Sequence, residues 1–296
     1  MNFRPDETPL FTLIEDLDLH EPVLVIALEG WVDAGLAAST AVGSLLESAE
    51  TELVAVFDNE VLIDQRARRP IVRIVGGVTE SLTWPEIQLR AGTDRVGRDL
   101  LILCGPEPDV YWSAFVDGVV ELAERFEVRL VIGLGAFPAP APHTRPVKLT
   151  ATAPAPSARF LELVGHTDGE LEVPAGVNSA LELGFAQAGI DMVTLWARVP
   201  HYVAAMSYPP GAIALLEGLG LIGELSIATT ELREEADTAQ RQVEDLIGSN
   251  PEHQAMVRSL EATLDATEGN PLGVDEIPSG DELAAELEQF LRGEGA

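Results

Sequence analysis

Pro142-His143-Thr144-Arg145-Pro146 places an imidazole and a guanidinium two residues apart in a loop stiffened by prolines. Rigid cations of this kind suit an anion, and they equally suit an ion pair with Asp33 or Asp64. Val199-Pro200-His201-Tyr202 supplies a second imidazole and a phenol, which either line a groove or pack as satisfied polar groups. Gly30-Trp31-Val32-Asp33-Ala34-Gly35 offers a carboxylate that is either an acid or base or the N-cap of the helix that follows. Gly105-Pro106-Glu107-Pro108 holds another carboxylate between prolines, and Trp84-Pro85 an aromatic. Asp64-Gln65-Arg66-Ala67-Arg68-Arg69 is the densest basic stretch of the chain, facing either an acidic partner or nearby carboxylates. In an enzymatic reading Asp33 or Asp64 would move the proton while His143 and Arg145 hold negative charge on an anionic or nucleoside-like small molecule.

The usual signatures of catalysis are missing. No G-x-S-x-G elbow occurs. Cys104 ends a very apolar run and reads as a buried structural thiol. The five histidines, at 20, 143, 166, 201 and 253, lack metal-ligand spacing. Gly133-Leu134-Gly135 has no third glycine at the required offset, and Lys148, the single lysine, belongs to no phosphate loop. Arginine is no simple substitute for the point charge of lysine on a nucleotide, so ATP chemistry is not expected. Neither a metal nor any other cofactor is expected.

The elements around these blocks follow an α/β pattern. Val23-Leu24-Val25-Ile26-Ala27-Leu28 is a buried strand, residues 34–46 a helix and Leu53–Phe57 a strand, which together read as a βαβ unit with a parallel pair. Residues 60–91 read as antiparallel pieces broken by Gly76-Gly77 and Pro85. Strands follow at 99–104, 129–134, 147–151 and 192–197, with helices at 109–126, 157–165 and 178–188 and a Pro/Ala loop at 135–146. The His143, Glu107, Asp33 and Tyr202 blocks each lie just past the carboxyl end of a strand. In an open parallel sheet those ends form one edge, where ligands bind. The expected fold is an α/β core with a mostly parallel sheet over residues 1–222.

After Ile222 the pattern changes. Leu232, Ala236, Ala239, Val243 and Leu246 step like a heptad seam, and Asn250-Pro251 starts another helix continued by Val257, Leu260 and Leu264. Residues 223–268 are therefore expected as a helical hairpin, and 269–296 as a linker and acidic tail.

The formal net charge is −31 from 49 acidic and 18 basic residues in 296, which disfavours nucleic acid and anionic lipid as partners. With 46% apolar residues the chain can bury a large core. No run is long and apolar enough to span a bilayer, and the first residues do not form a signal peptide, so a cytoplasmic protein without a membrane partner is expected.

Taken in order, Gly30–Gly35, Asp64 with Arg69-Pro70, Trp84-Pro85, Gly105–Pro108, Pro142–Pro146 and Trp196-Ala197 with Val199–Tyr202 resemble the proteasome assembly chaperone 2-like family. The resemblance runs from about Val23 to Leu219. It implies a three-layer α/β/α core with a mostly parallel central sheet, similar to nucleoside phosphorylases or hydrolases, and a homo-oligomer, a trimer being one form, without a catalytic residue. It also implies proteasome or other protein subunits as partners, and a shared pocket or interface built from Trp31, Asp33, Asp64, Arg69, Trp84, Glu107, His143, Arg145, His201 and Tyr202. Some archaeal relatives engage proteasomes through a C-terminal tail with a penultimate tyrosine. This sequence ends Leu291-Arg292-Gly293-Glu294-Gly295-Ala296 and departs from that pattern.

Overall fold

The computed structural model describes residues 10–30 and 32–268. Ten strands and eight α-helices are found among them. The strands are β1 (Phe11–Leu13), β2 (Val23–Glu29), β3 (Glu52–Phe57), β4 (Ile71–Val75), β5 (Val78–Thr83), β6 (Gln88–Thr93), β7 (Asp99–Pro106), β8 (Leu130–Ala139), β9 (Leu149–Thr152) and β10 (Met192–Pro200). The helices are α1 (Ala37–Ser48), α2 (Asn59–Leu62), α3 (Trp112–Arg125), α4 (Leu161–Val164), α5 (Val177–Ala188), α6 (Pro209–Gly223), α7 (Thr230–Gly248) and α8 (Pro251–Glu268).

Eight strands form one sheet in the order β1-β3-β6-β7-β2-β8-β10-β9. The central pairs β7·β2, β2·β8 and β8·β10 are parallel, and the flanking pairs are antiparallel. β2 is buried on both faces, as its unbroken apolar run requires: Val23, Val25 and Ala27 enter one apolar cluster, Leu24 and Ile26 the other. α1 and α6 cover the first face, α3 and α5 the second. The three-layer α/β/α architecture is thus as expected.

Several local readings need correction. β2, α1 and β3 do not make an adjacent parallel pair, because β6 and β7 insert between the two strands. β8 continues through Pro138 to Ala139 where a loop was expected, since β10 pairs with it as far as Pro200. The exposed edge strand β1 and the helix α6 escape sequence reading altogether. α6 carries apolar residues on its exposed side as well as its buried one, Leu221 among them, so its sequence shows no amphipathic stripe.

The crossing at the end of β7 depends on Gly105. Its φ is +116°, and a Cβ there would lie 2.1 Å from the carbonyl oxygen of Glu86. Only glycine allows the Glu86-Ile87 backbone to approach so closely.

The two helices expected after Ile222 are present as α7 and α8, with Asn250 Oδ1 accepting from the Glu252 amide 2.9 Å away as the cap of α8. Leu232, Val243, Ile247 and Val257 join the same apolar cluster as Leu219 and Ile222 of α6. The seam differs by one position: Ile247 is buried and Leu246 is exposed. The expected linker and tail at 269–296 lie outside the described residues.

Candidate functional site

The carboxyl ends of β2, β7, β8 and β10 do share an edge. Glu29 pairs with Pro106 and Pro200 with Ala139, and Asp33 bridges to Ala136. Along that edge the polar residues fall into separate groups, each closed by local partners.

At the β8–β10 end, the backbone N–H of His143 donates to the Tyr202 hydroxyl at 2.7 Å, and the His143 Nδ1 lies 2.7 Å from the same oxygen. The hydroxyl oxygen thus accepts from the amide and shares a second hydrogen bond with the ring nitrogen. The two rings meet edge to face, and the His201 ring stands edge to face on the other side of Tyr202. His143 is 5% exposed. Burial pushes its imidazole below the usual 6.5, against the pull of Glu244 and Glu261, and raises the Tyr202 phenol to about 12.

This end of the edge lies under the C-terminal helices. Gln240 of α7 donates to the His143 carbonyl at 3.3 Å, and Thr144 donates through its hydroxyl to Glu261 of α8. Arg145 faces Asp265 with two parallel hydrogen bonds of 3.2 and 3.0 Å and lies 3.5 Å from Glu261. The ion pair anticipated with Asp33 or Asp64 is made instead with α8. Beside it Arg145, Lys148, Arg198 and Leu264 line a cavity of about 20 Å³. That is room for about one water molecule.

Asp33 occupies the turn between β2 and α1. One carboxylate oxygen accepts from the Ala38 amide at 2.8 Å, and the other accepts from the amide and hydroxyl of Ser39 at 3.0 and 2.6 Å. It is the cap of α1, reaching five and six residues ahead because a 3-10 turn at Ala34–Leu36 intervenes. Gly35 within that turn has φ +66°, and a Cβ there would sit 2.7 Å from Cβ of Tyr208. The turn is tied to the β10 end by Gly35 N–H to Ala204 and Tyr208 N–H to Gly35, both 2.8 Å. Trp31, on the same stretch, lies outside the described residues.

Glu107 is buried next to Gly30. Its amide donates to the Glu29 carbonyl at 3.1 Å, and its carboxylate accepts from the Val177 amide, capping α5. Asp64 lies farther along. Its amide donates to Asp109 at 2.8 Å, its own carboxylate accepts from Arg66, and Arg68 closes on Asp109 at 3.3 Å. Arg69 is exposed. Trp84 is far from the His143 group in this order of strands. It lines a groove of about 500 Å³ at the β1–β3 end together with the apolar Phe11, Val56, Phe57 and Ile63 and the polar Asp58, Asn59, Glu60, Gln65 and Glu86.

The structure therefore joins His143, Arg145, His201 and Tyr202 in one cluster, seats Asp33 and Glu107 as helix caps, and separates Asp64, Arg69 and Trp84 from them. Sequence reading missed Gln240, Glu261 and Asp265, which lie about a hundred residues downstream, and the groove residues Phe11, Asp58, Asn59 and Gln65. Only Asp58 carried a local signal, as the cap of α2 through the Glu60 amide. Among the described residues no group of three or more His, Cys, Asp or Glu is arranged to hold a metal ion, and no helix is long and apolar enough to cross a membrane.

Comparison with curated proteins finds no relative. Solved structures are more informative. A protein of unknown function from Corynebacterium glutamicum is 30% identical, with a TM-score of 0.84 over 90% of this chain and 100% of that one. A Mycobacterium tuberculosis proteasome-assembly chaperone homologue is 34% identical, with a TM-score of 0.72 over 79% of this chain and 99% of its own. A PAC2 family protein from Streptomyces avermitilis is 35% identical, with a TM-score of 0.71 over 80% and 99%. The PAC2 family model matches residues 27–247, a span that includes every candidate residue on the carboxyl edge, and the chain belongs to the PAC2 family.

Proposed function

We propose that this protein is a non-catalytic, cytoplasmic, homo-oligomeric assembly factor that binds protein subunits, with proteasome subunits as its foremost partners. The observation that carries this reading is the use of the edge residues. Asp33 and Glu107 cap helices, His143 and Tyr202 satisfy one another, and Arg145 is held by α8. Groups placed for structure in this way are poorly placed for acid–base work, which needs a group within reach of a reacting atom. The surfaces left open are instead broad: the groove beside Trp84, lined by apolar and polar residues alike, and the β4–β5 hairpin with its exposed aliphatic side chains. Such surfaces suit protein contacts. The similarity to a proteasome-assembly chaperone homologue points to the partner class.

The test is co-expression with the α and β subunits of the proteasome, followed by affinity capture and sizing. Retention of unassembled α subunits is expected. Absence of any subunit from the captured material, together with turnover of a nucleoside or phosphoester that Tyr202→Phe abolishes, would move the protein to the enzymatic reading.

A further inference from the structure

The groove beside Trp84 is built from four separate stretches of chain. Phe11 and Thr12 belong to β1, Val56 and Phe57 to β3, residues 58–65 to α2 and its flanks, and Trp84 to Glu86 to the connection between β5 and β6. Hydrogen bonds tie these walls together. The Asp58 amide donates to the Leu10 carbonyl at 2.7 Å, the Phe57 amide to the Ile87 carbonyl at 3.0 Å, and the Ile87 amide to Asn59 Oδ1 at 3.0 Å. A site held in this way needs little ordering when it is occupied. Its volume of about 500 Å³ lies within the range of ligand sites.

The charge of the groove is one-sided. Asp58, Glu60 and Glu86 line it, and no lysine, arginine or histidine does. Asp58 uses one oxygen on the Glu60 amide at 3.1 Å, and Glu86 uses one on the Gln88 side chain at 2.6 Å. Among the described residues none of the three forms an ion pair, and the arginines that follow Gln65 do not answer them, Arg68 closing on Asp109 at 3.3 Å. Nor do they make a metal site, since no described group of three or more such ligands is arranged to hold an ion. Beside them Trp84 is 46% exposed. Separated carboxylates next to an open indole suit a broad organic cation, which meets the carboxylates through its N–H groups and lies on the ring face. A guanidinium does both better than a compact ammonium, because it is planar and presents several donors. The apolar Phe11, Val56 and Ile63 add a surface for a hydrophobic neighbour of that cation.

We propose that the groove is the docking site for an extended, arginine-bearing segment of a partner protein, with an apolar residue beside the arginine. The guanidinium meets the Trp84 indole and the carboxylates, and the apolar residue packs on Phe11 and Val56. The net charge of −31 draws a basic segment towards the molecule, while the groove decides where it stays. The docking site rests on the reading of this protein as a subunit-binding factor, to which it adds a surface and a recognised side chain.

The probe is a fluorophore-labelled peptide, Gly-Arg-Leu-Arg-Gly with an amidated end, titrated against the full chain by fluorescence anisotropy. Saturable binding is expected, weakened about tenfold in Trp84→Ala and by at least as much in the pair Glu60→Gln with Glu86→Gln. All three positions are exposed, so these variants are expected to keep the melting temperature of the unaltered chain. The pair Glu234→Gln with Glu235→Gln on α7, equal in charge but outside the groove lining, should bind as the unaltered chain does. Absence of saturation up to about 1 mM peptide would overturn the proposal. So would equal weakening in the α7 pair, or displacement of the peptide by an equal concentration of spermidine, since either reads diffuse charge in place of a groove. Subunit capture by Trp84→Ala separates the two readings. Capture lost together with peptide binding supports the docking site, and capture retained overturns it while the subunit-binding reading stands. No capture by the unaltered chain would remove proteasome subunits as partners, and groove-dependent peptide binding would still support the site.

Discussion

The hydroxyl of Tyr202 lies 2.7 Å from both the backbone nitrogen and the Nδ1 of His143, across 59 residues of chain. One oxygen thereby ties down the loop between β8 and β9 and a buried imidazole. The relationship links the end of β10 to the loop on which α7 and α8 rest, so its loss should be felt by both.

Tyr202→Phe removes the oxygen and strands the N–H and the Nδ1 of His143 in a buried setting. Leaving buried polar groups unsatisfied costs roughly 1–3 kcal/mol. Urea denaturation should show a loss of that size, with hydrogen exchange rising in the 140–146 loop. A loss no greater than that of a Tyr→Phe change on the open surface would mean that water replaces the hydroxyl.

The same imidazole sets a pH dependence. Burial holds His143 below its ordinary 6.5, so the unfolded chain takes up the proton more readily than the folded one. Its contribution to stability is complete above about pH 6.5 and is lost as the pH falls towards the lowered folded value. Melting curves from pH 7.5 to 5 should therefore decline less steeply for His143→Gln than for the unaltered protein. Equal slopes would show that the ring is solvated in both states.

The Arg145–Asp265 contact is a paired but partly exposed ion pair, with 37% of the arginine side chain and 53% of the aspartate accessible. Solvent screening keeps such pairs to roughly 0.2–1 kcal/mol. Arg145→Ala should accordingly lower global stability by no more than about 1 kcal/mol. It should nevertheless raise hydrogen exchange across α8 selectively, because Glu261 and Asp265 both hold that helix down. Uniform exchange across the molecule would instead indicate that α7 and α8 stay in place through apolar packing alone.

How far the fold was legible follows from these residues. β2 could be read because a strand buried on both faces keeps an unbroken aliphatic run. α6 could not, because its exposed side is largely apolar, Leu221 included, and leaves no periodic contrast, and Pro209-Pro210 and four glycines blur its ends. Pro138 suggested a loop, yet the β10 partner holds it in the strand. The position of the edge residues followed from strand ends, which are local. Their partners were not legible, since Arg145 finds Asp265 at a separation of 120 residues and nothing in either segment announces the other.

Asp33 gives the sharpest division between a structural and a catalytic role. Its two oxygens accept three hydrogen bonds from Ala38 and Ser39, which is the work of a helix cap. Alanine at such a site costs about 1 kcal/mol, within a range of roughly 0.5–2, and asparagine keeps one accepting oxygen while turning an NH2 towards the donors met by the other, so it restores the cap only in part. Asp33→Ala and Asp33→Asn should therefore both lower the melting temperature, while neither abolishes subunit capture. An acid or base at this position would behave otherwise. Neutralising the carboxylate would abolish turnover in molecules that are still folded, so any activity that disappears in Asp33→Asn well below its melting temperature would return Asp33 to chemistry.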